Sequence, residues 1–240
     1  MMTNITKFTY KTLLITGAVI FLYLMLAVPK IEPIWTNFWD ANDYRVQSER
    51  DLFSKDFLAP VPRRWYTPRP FTTPLMYKLA DSDPFKMVML QKIFYCFSIF
   101  ALIFSFLQYV KSKKVKILSY FSLLFFFTWW NIVGWSNNVV SESIALSFMF
   151  LWFAVILLYY KYQNILTVIV VLITTVLLSF SRDTWPYIIL VFFLLNIFIM
   201  GKNKLNGTIP IFLFVIALLF SSVIFFNASC SFSYSAFTNR

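Results

Sequence analysis

Carboxylates are scarce in this chain and unevenly placed. Of its ten acidic residues, eight (Glu32, Asp40, Asp43, Glu49, Asp51, Asp56, Asp81 and Asp83) lie in or beside the polar stretch from Trp39 to Lys78, which leaves Glu142 and Asp183 for the rest. There is no histidine, so the commonest general base and metal ligand is missing, and proton transfer falls to these acids. Arg63, Arg64 and Arg69 stand in a proline-rich part of the same stretch, interleaved with Trp65, Tyr66 and Phe71. Guanidinium groups suit phosphate oxygens in bidentate geometry; they also anchor loops to anionic headgroups. Each remaining candidate likewise has two readings. Asp40 either serves as a base or ends a first helix in water. Glu142 either works in a site or offsets the dipole at a helix start. Arg182 has Asp183 beside it as a local ion partner, and Lys92 either snorkels to an interface or faces a phosphate.

The elements that would carry these groups are apolar. The 240 residues are 60% hydrophobic, 21% aromatic and only 13% charged, a balance too apolar for a soluble domain. Apolar runs from 12 to 28, 85 to 110, 117 to 130, 139 to 160, 165 to 180, 185 to 200 and 209 to 226 predict seven transmembrane helices in an all-α membrane protein. The first of them also fits a cleavable signal peptide. One large extracytoplasmic loop, about 30 to 84, separates the first two spans. Within it Asp43 is expected to cap a surface-lying helix from Tyr44 to about Leu58, and Thr73-Pro74 to open a short helix ending near Ala80. Asp83-Pro84 reads as a cap followed by proline at the first helical position.

The net charge of +11 does not point to nucleic acid. Lys111, Lys113, Lys114, Lys116, Lys161, Lys202 and Lys204 fall in short gaps between apolar runs, the pattern of topology signals. That puts the amino terminus in the cytoplasm, residues 227 to 240 outside as a short tail, and the whole as a multi-pass protein, with a bacterial plasma membrane as the expected location. Cys96 and Cys230 show no metal-ligand spacing, and no disulfide is expected between them. On this topology Asp40, Glu142, Arg182, Asp183 and the loop arginines share one side of the membrane, and charges at membrane depth tend to mark function.

An amino-terminal helix, a large outer loop beginning with an acid, and short-looped helices thereafter resemble the GT-C glycosyltransferases, membrane enzymes that take a sugar from a polyprenyl or dolichyl phosphate carrier; protein O-mannosyltransferases and the aminoarabinose transferases of lipid A belong to this group. The matching pieces are Asp40 with Tyr44, the proline-rich stretch closing in Thr73-Pro74-Leu75, Leu90-Gln91, Ser141-Glu142-Ser143 and Ser181-Arg182. The resemblance spans roughly Phe8 to Phe226, the seven-helix module such enzymes share. It implies a lipid-linked sugar donor, Asp40 as the base that takes the acceptor's proton, and Arg63, Arg64, Arg69, Lys92 and Arg182 as holders of the departing phosphate. Asp43, Tyr44, Gln91 and Glu142 would support them, Glu142 by orienting an arginine or the sugar. No cofactor is implied outright, though Asp40 and Asp43 could hold a divalent metal. The second loop acid of the family has three candidates here, Asp43, Asp81 and Asp83. Members are usually longer, so the chain reads as a compact or truncated member, or as one whose partner subunit supplies the rest. The rival reading is a non-catalytic subunit or scaffold in envelope polysaccharide or glycolipid assembly that binds the carrier without turnover. A small transporter fits less well, because the helices lack mid-membrane charges and glycine or proline interruptions.

Overall fold

A computed structural model describes residues 2–27, 39–52, 71–129, 141–182 and 188–191; of residues 2–10, 26–27 and 39–42 it describes the backbone alone. Every regular element among the described residues is a helix: α1 (Met2–Ala27), α2 (Trp39–Ser48), α3 (Thr72–Leu79), α4 (Pro84–Leu107), α5 (Lys113–Phe127), α6 (Ser141–Tyr162) and α7 (Ile165–Ser179). Five of these coincide with the apolar runs that begin at 12, 85, 117, 139 and 165. The remaining two runs, apart from helical residues 188–191, lie outside the described residues, as does the tail from 227 to 240.

Among the described residues two helices, α4 and α6, are by length and composition apolar enough to cross a membrane. At about 1.5 Å per residue their 24 and 22 residues reach about 36 and 33 Å, against about 30 Å for a hydrocarbon core. They are also each other's principal neighbours. Phe94 meets Phe148 at 4.6 Å and Tyr95 meets Phe150 at 6.1 Å, while further along Tyr109 donates to Leu157 O at 2.5 Å. Contacts that advance together along both chains mean that α4 and α6 run parallel. Helix α7 returns antiparallel to α6, tied by Trp152 Nε1 donating to Thr175 Oγ1 at 2.8 Å. That bond satisfies an indole N–H inside an apolar interface, where leaving it unpaired would be costly.

Helix α5 folds back along α4, and Tyr95 OH caps its last turn by donating to Phe127 O at 2.9 Å. Helix α1 lies against α5: Tyr120 OH donates to Leu14 O at 2.7 Å. Close approach there depends on Gly17, since a Cβ at that position would sit 2.7 Å from Tyr120 Cε1. The buried apolar residues divide between two clusters. One joins α2, α3 and the first turn of α4 to α6 and α7 through Tyr44, Tyr77, Met87, Phe148 and Trp152; the other joins α1, α4 and α5 through Phe21, Ile99, Ile103 and Leu124.

The polar stretch differs from its expected form. Helix α2 begins at Trp39 and ends at Ser48, so Asp43 lies inside it and does not cap it. Among its described side chains, the ones it buries are Tyr44, Gln47 and Ser48. Its end is fixed from outside: Lys78 Nζ donates to the carbonyls of Ser48 (3.3 Å) and Arg50 (2.6 Å), and a cation there also suits the negative end of the dipole. The cap at Asp83 is as read: its Oδ1 accepts from Phe85 N at 2.8 Å and Lys86 N at 2.9 Å, with Pro84 in the first turn.

Candidate functional site: the rim around Glu142 and Arg182

The start of α3 is clamped onto the end of α7. Thr72 N donates to Phe180 O (3.1 Å), Thr72 Oγ1 to Leu177 O (3.0 Å) and Thr73 Oγ1 to Ser181 O (3.1 Å). The last carbonyls of a helix have no partner within it; here two threonines of a separate helix supply the donors, and both are buried. Phe71 and Phe180 pack beside this seam with ring centroids 4.9 Å apart. The clamp fixes the backbone that leads directly into Arg182.

Arg182 Nη1 lies 2.9 Å from Glu142 Oε1. The other carboxylate oxygen accepts from Ser141 Oγ at 3.2 Å. Arg182 thus pairs with Glu142 in the first turn of α6; the adjacent Asp183 lies outside the described residues. Both side chains are a little over one third exposed, so the pair opens to solvent at the bundle's end. The two readings of Glu142 turn out to be compatible: a carboxylate in a first turn offsets the dipole of α6 while it holds an arginine.

Behind the pair stands Tyr77 of α3, completely buried and 6.1 Å in ring separation from Tyr44 of α2. Burial pushes its phenol well above the ordinary range, and the nearby Tyr44 and Glu142 push the same way. At any physiological pH Tyr77 is a neutral hydroxyl. Ser48 and Ser82 share a hydrogen bond of 2.8 Å, which closes the assembly of α2 and α3 over the start of α4. Asp81, at the same turn and fully exposed, is held below the usual carboxylate range by the hydrogen bond from Lys86 at 2.5 Å.

Of the residues singled out in the sequence, Tyr44, Glu142 and Arg182 belong to this rim. Asp43 is half-buried on α2. Position 40 is one turn before Tyr44 along the same helix, but its side chain lies outside the description, and so do Arg63, Arg64 and Arg69 entirely. Gln91 and Lys92 are a different matter. They sit two turns down α4, Gln91 buried on the face that carries Met87 and Tyr95, Lys92 half-buried. Among the described residues Lys92 joins no ion pair. No family model, curated protein or solved structure matches the chain.

The rim is thus defined by its own geometry. Thr72, Tyr77 and Lys78 were not singled out from sequence, yet they carry most of it. A signal was available for one of them: Thr73 and Tyr77 are four apart on a short helix after a proline-rich run, so they share a face. Three or more metal-ligating side chains do not gather anywhere among the described residues. A cation and a carboxylate, both partly open to solvent at one bundle end, can bind and orient an anionic or hydroxyl-bearing ligand.

Proposed function

We propose that the chain is a membrane-embedded, GT-C-like module of seven spans that transfers a sugar from a polyprenyl or dolichyl phosphate carrier to an acceptor at the outer membrane face. The observation that carries this reading is the Glu142–Arg182 pair of 2.9 Å, set beside the docked helices of the polar stretch. It joins two of the separated sequence pieces, Ser141-Glu142-Ser143 and Ser181-Arg182, to a third, Thr73-Pro74-Leu75, through Thr73 and Ser181. In this reading the sugar phosphate already has a good leaving group. One carboxylate to take the acceptor's proton and cations to hold the phosphate suffice. Asp40 is assigned the first role. Arg182 takes the second with Arg63, Arg64, Arg69 and Lys92, and Glu142 keeps the Arg182 guanidinium aimed across the rim. The carrier's tail would lie along the apolar helices.

The test is sugar transfer from a labelled polyprenyl phosphate sugar by the reconstituted protein. Asp40→Asn is expected to abolish transfer while the protein stays folded in the membrane; undiminished activity in that variant removes the base. A second reading, a carrier-binding scaffold without turnover, is favoured by one feature: Arg182 and Glu142 already neutralise each other. Under it, labelled carrier binds to the unaltered protein, Arg182→Gln weakens that binding, and no transfer occurs with any acceptor supplied.

A further inference from the structure

We propose that the end of the bundle opposite the Glu142–Arg182 rim binds the headgroups of anionic phospholipids. Three elements meet there. Past the end of α4 the chain runs through Gln108 and Tyr109 to Lys111, α5 opens on Lys113, Lys114 and Lys116, and α6 closes on Lys161. Lys161 Nζ donates to Gln108 Oε1 at 2.7 Å, and Tyr109 OH bonds α6 at Leu157, so α4 and α6 finish at one level. Lys111, Lys113, Lys114 and Lys161 are exposed and Lys116 is half-buried.

The carboxylates are segregated along the bundle, with Arg45, Arg50, Lys78, Lys86 and Arg182 standing among them, whereas among the described residues the lysine end has none. Every carboxylate whose side chain is described lies at the far end: Asp43, Glu49 and Asp51 in or just after α2, Asp81 and Asp83 between α3 and α4, and Glu142 at the start of α6. The lysines of α5 moreover occupy its first turn, the positive end of the helix dipole, where cations are disfavoured. An anion bound across them relieves that conflict.

The surroundings identify the anion. Phe104, Val115, Leu118, Ile165 and Leu166, which flank the lysines, are each about half exposed or more. Tyr109 and Tyr162 are exposed too, and Lys161 lies 5.4 Å from the centre of the Tyr162 ring. Lysines edged by tyrosines and then by bare aliphatic and aromatic side chains match the layered chemistry of a phospholipid, phosphate above and acyl chain below. A nucleic acid or a free phosphate would leave the apolar part uncovered. The proposal rests on the membrane reading given above but not on sugar transfer.

The experiment measures binding of an acyl-labelled phosphatidylglycerol to the full chain in neutral detergent micelles. The combined variant Lys111→Gln, Lys113→Gln, Lys114→Gln, Lys116→Gln is expected to weaken binding by about fivefold for each lysine removed, and added salt to weaken binding to the unaltered protein. The four-arginine counterpart should bind as the unaltered protein does, which separates loss of charge from loss of fold. Lys86→Gln, at the other end, should leave binding unchanged. Binding that survives in the four-glutamine variant, or that glycerol phosphate displaces as well as phosphatidylglycerol does, overturns the proposal. Carbonate extraction of cell membranes keeps the two readings apart. A chain released by carbonate defeats the membrane reading, whereas one retained, with lysine-independent binding, defeats this inference alone.

Discussion

Tyr77 is the residue whose chemistry is most altered by the fold. Its phenol is raised by burial first and by Tyr44 and Glu142 after that. A folded-state pKa above the unfolded value favours the neutral form in the folded protein. That stabilising contribution is therefore complete below the unfolded pKa, about 10, and is lost as pH rises from there towards the folded value. Linkage gives one proton a slope of about 1.4 kcal/mol per pH unit at most. Tyr77→Phe should flatten the alkaline limb of a stability-against-pH curve above about pH 10, measured by thermal unfolding in detergent. An unchanged limb would mean that Tyr77 ionises freely. For Glu142 and Arg182 the expected effect is smaller, since each side chain is more than one third exposed and water screens the pair. A double-mutant cycle with Glu142→Gln and Arg182→Gln should give a coupling of about 0.5–1 kcal/mol that shrinks in high salt. Zero coupling at low salt would remove the pair as an organising contact.

Element boundaries show how far the sequence could be read. The start of α4 was legible because its signal is local: an aspartate, a proline and an apolar run. The extent of α2 was not. Its buried stripe includes Gln47 and Ser48, polar residues that no hydrophobic pattern marks, and its end is set by Lys78 from a helix far along the chain. The pairing of Glu142 with Arg182 was hidden for the same reason, since the two are far apart in sequence and only the antiparallel return of α7 brings them together. The clamp between α3 and α7 is the element-scale contact that most directly holds the rim. Thr73→Val keeps the side chain's shape and removes its bond to Ser181 O. Leaving that buried carbonyl short of a donor should cost about 1–2 kcal/mol, and hydrogen exchange should quicken at the end of α7 and in α3 while the α4–α6 interface stays protected. Uniform quickening would mean that the clamp has no local role. The turn between α6 and α7 offers the opposite case. Gln163 adopts φ 46°, a left-handed conformation that costs a side-chain-bearing residue about 1 kcal/mol relative to glycine. Gln163→Gly should raise the thermal midpoint of unfolding accordingly.

For the whole molecule the informative property is polarity of charge along parallel helices. Helices α4 and α6 both begin at the end that holds the described carboxylates and finish among lysines, where Lys161 Nζ bonds Gln108 Oε1. A soluble bundle has no reason to sort its charges so, because both of its ends face water. A bundle inserted in a bilayer does, since lysine-rich ends stay on the cytoplasmic side. The proposed orientation can be read with two cysteines placed on exposed residues at opposite ends of α4, in a background where Cys96 and Cys230 are replaced by alanine. Leu79, the last residue of α3, and Lys114, in the first turn of α5, are both exposed and flank α4, whose 24 residues span about 36 Å at 1.5 Å per residue. A membrane-impermeant maleimide added to intact cells should label Leu79→Cys and should reach Lys114→Cys only after the membrane is opened. The reverse pattern would invert the protein and put the Glu142–Arg182 rim in the cytoplasm, where a carrier loaded on the outer face could not meet it. Labelling of both in intact cells would mean that α4 does not cross the bilayer, and the membrane-embedded transferase would fall with it.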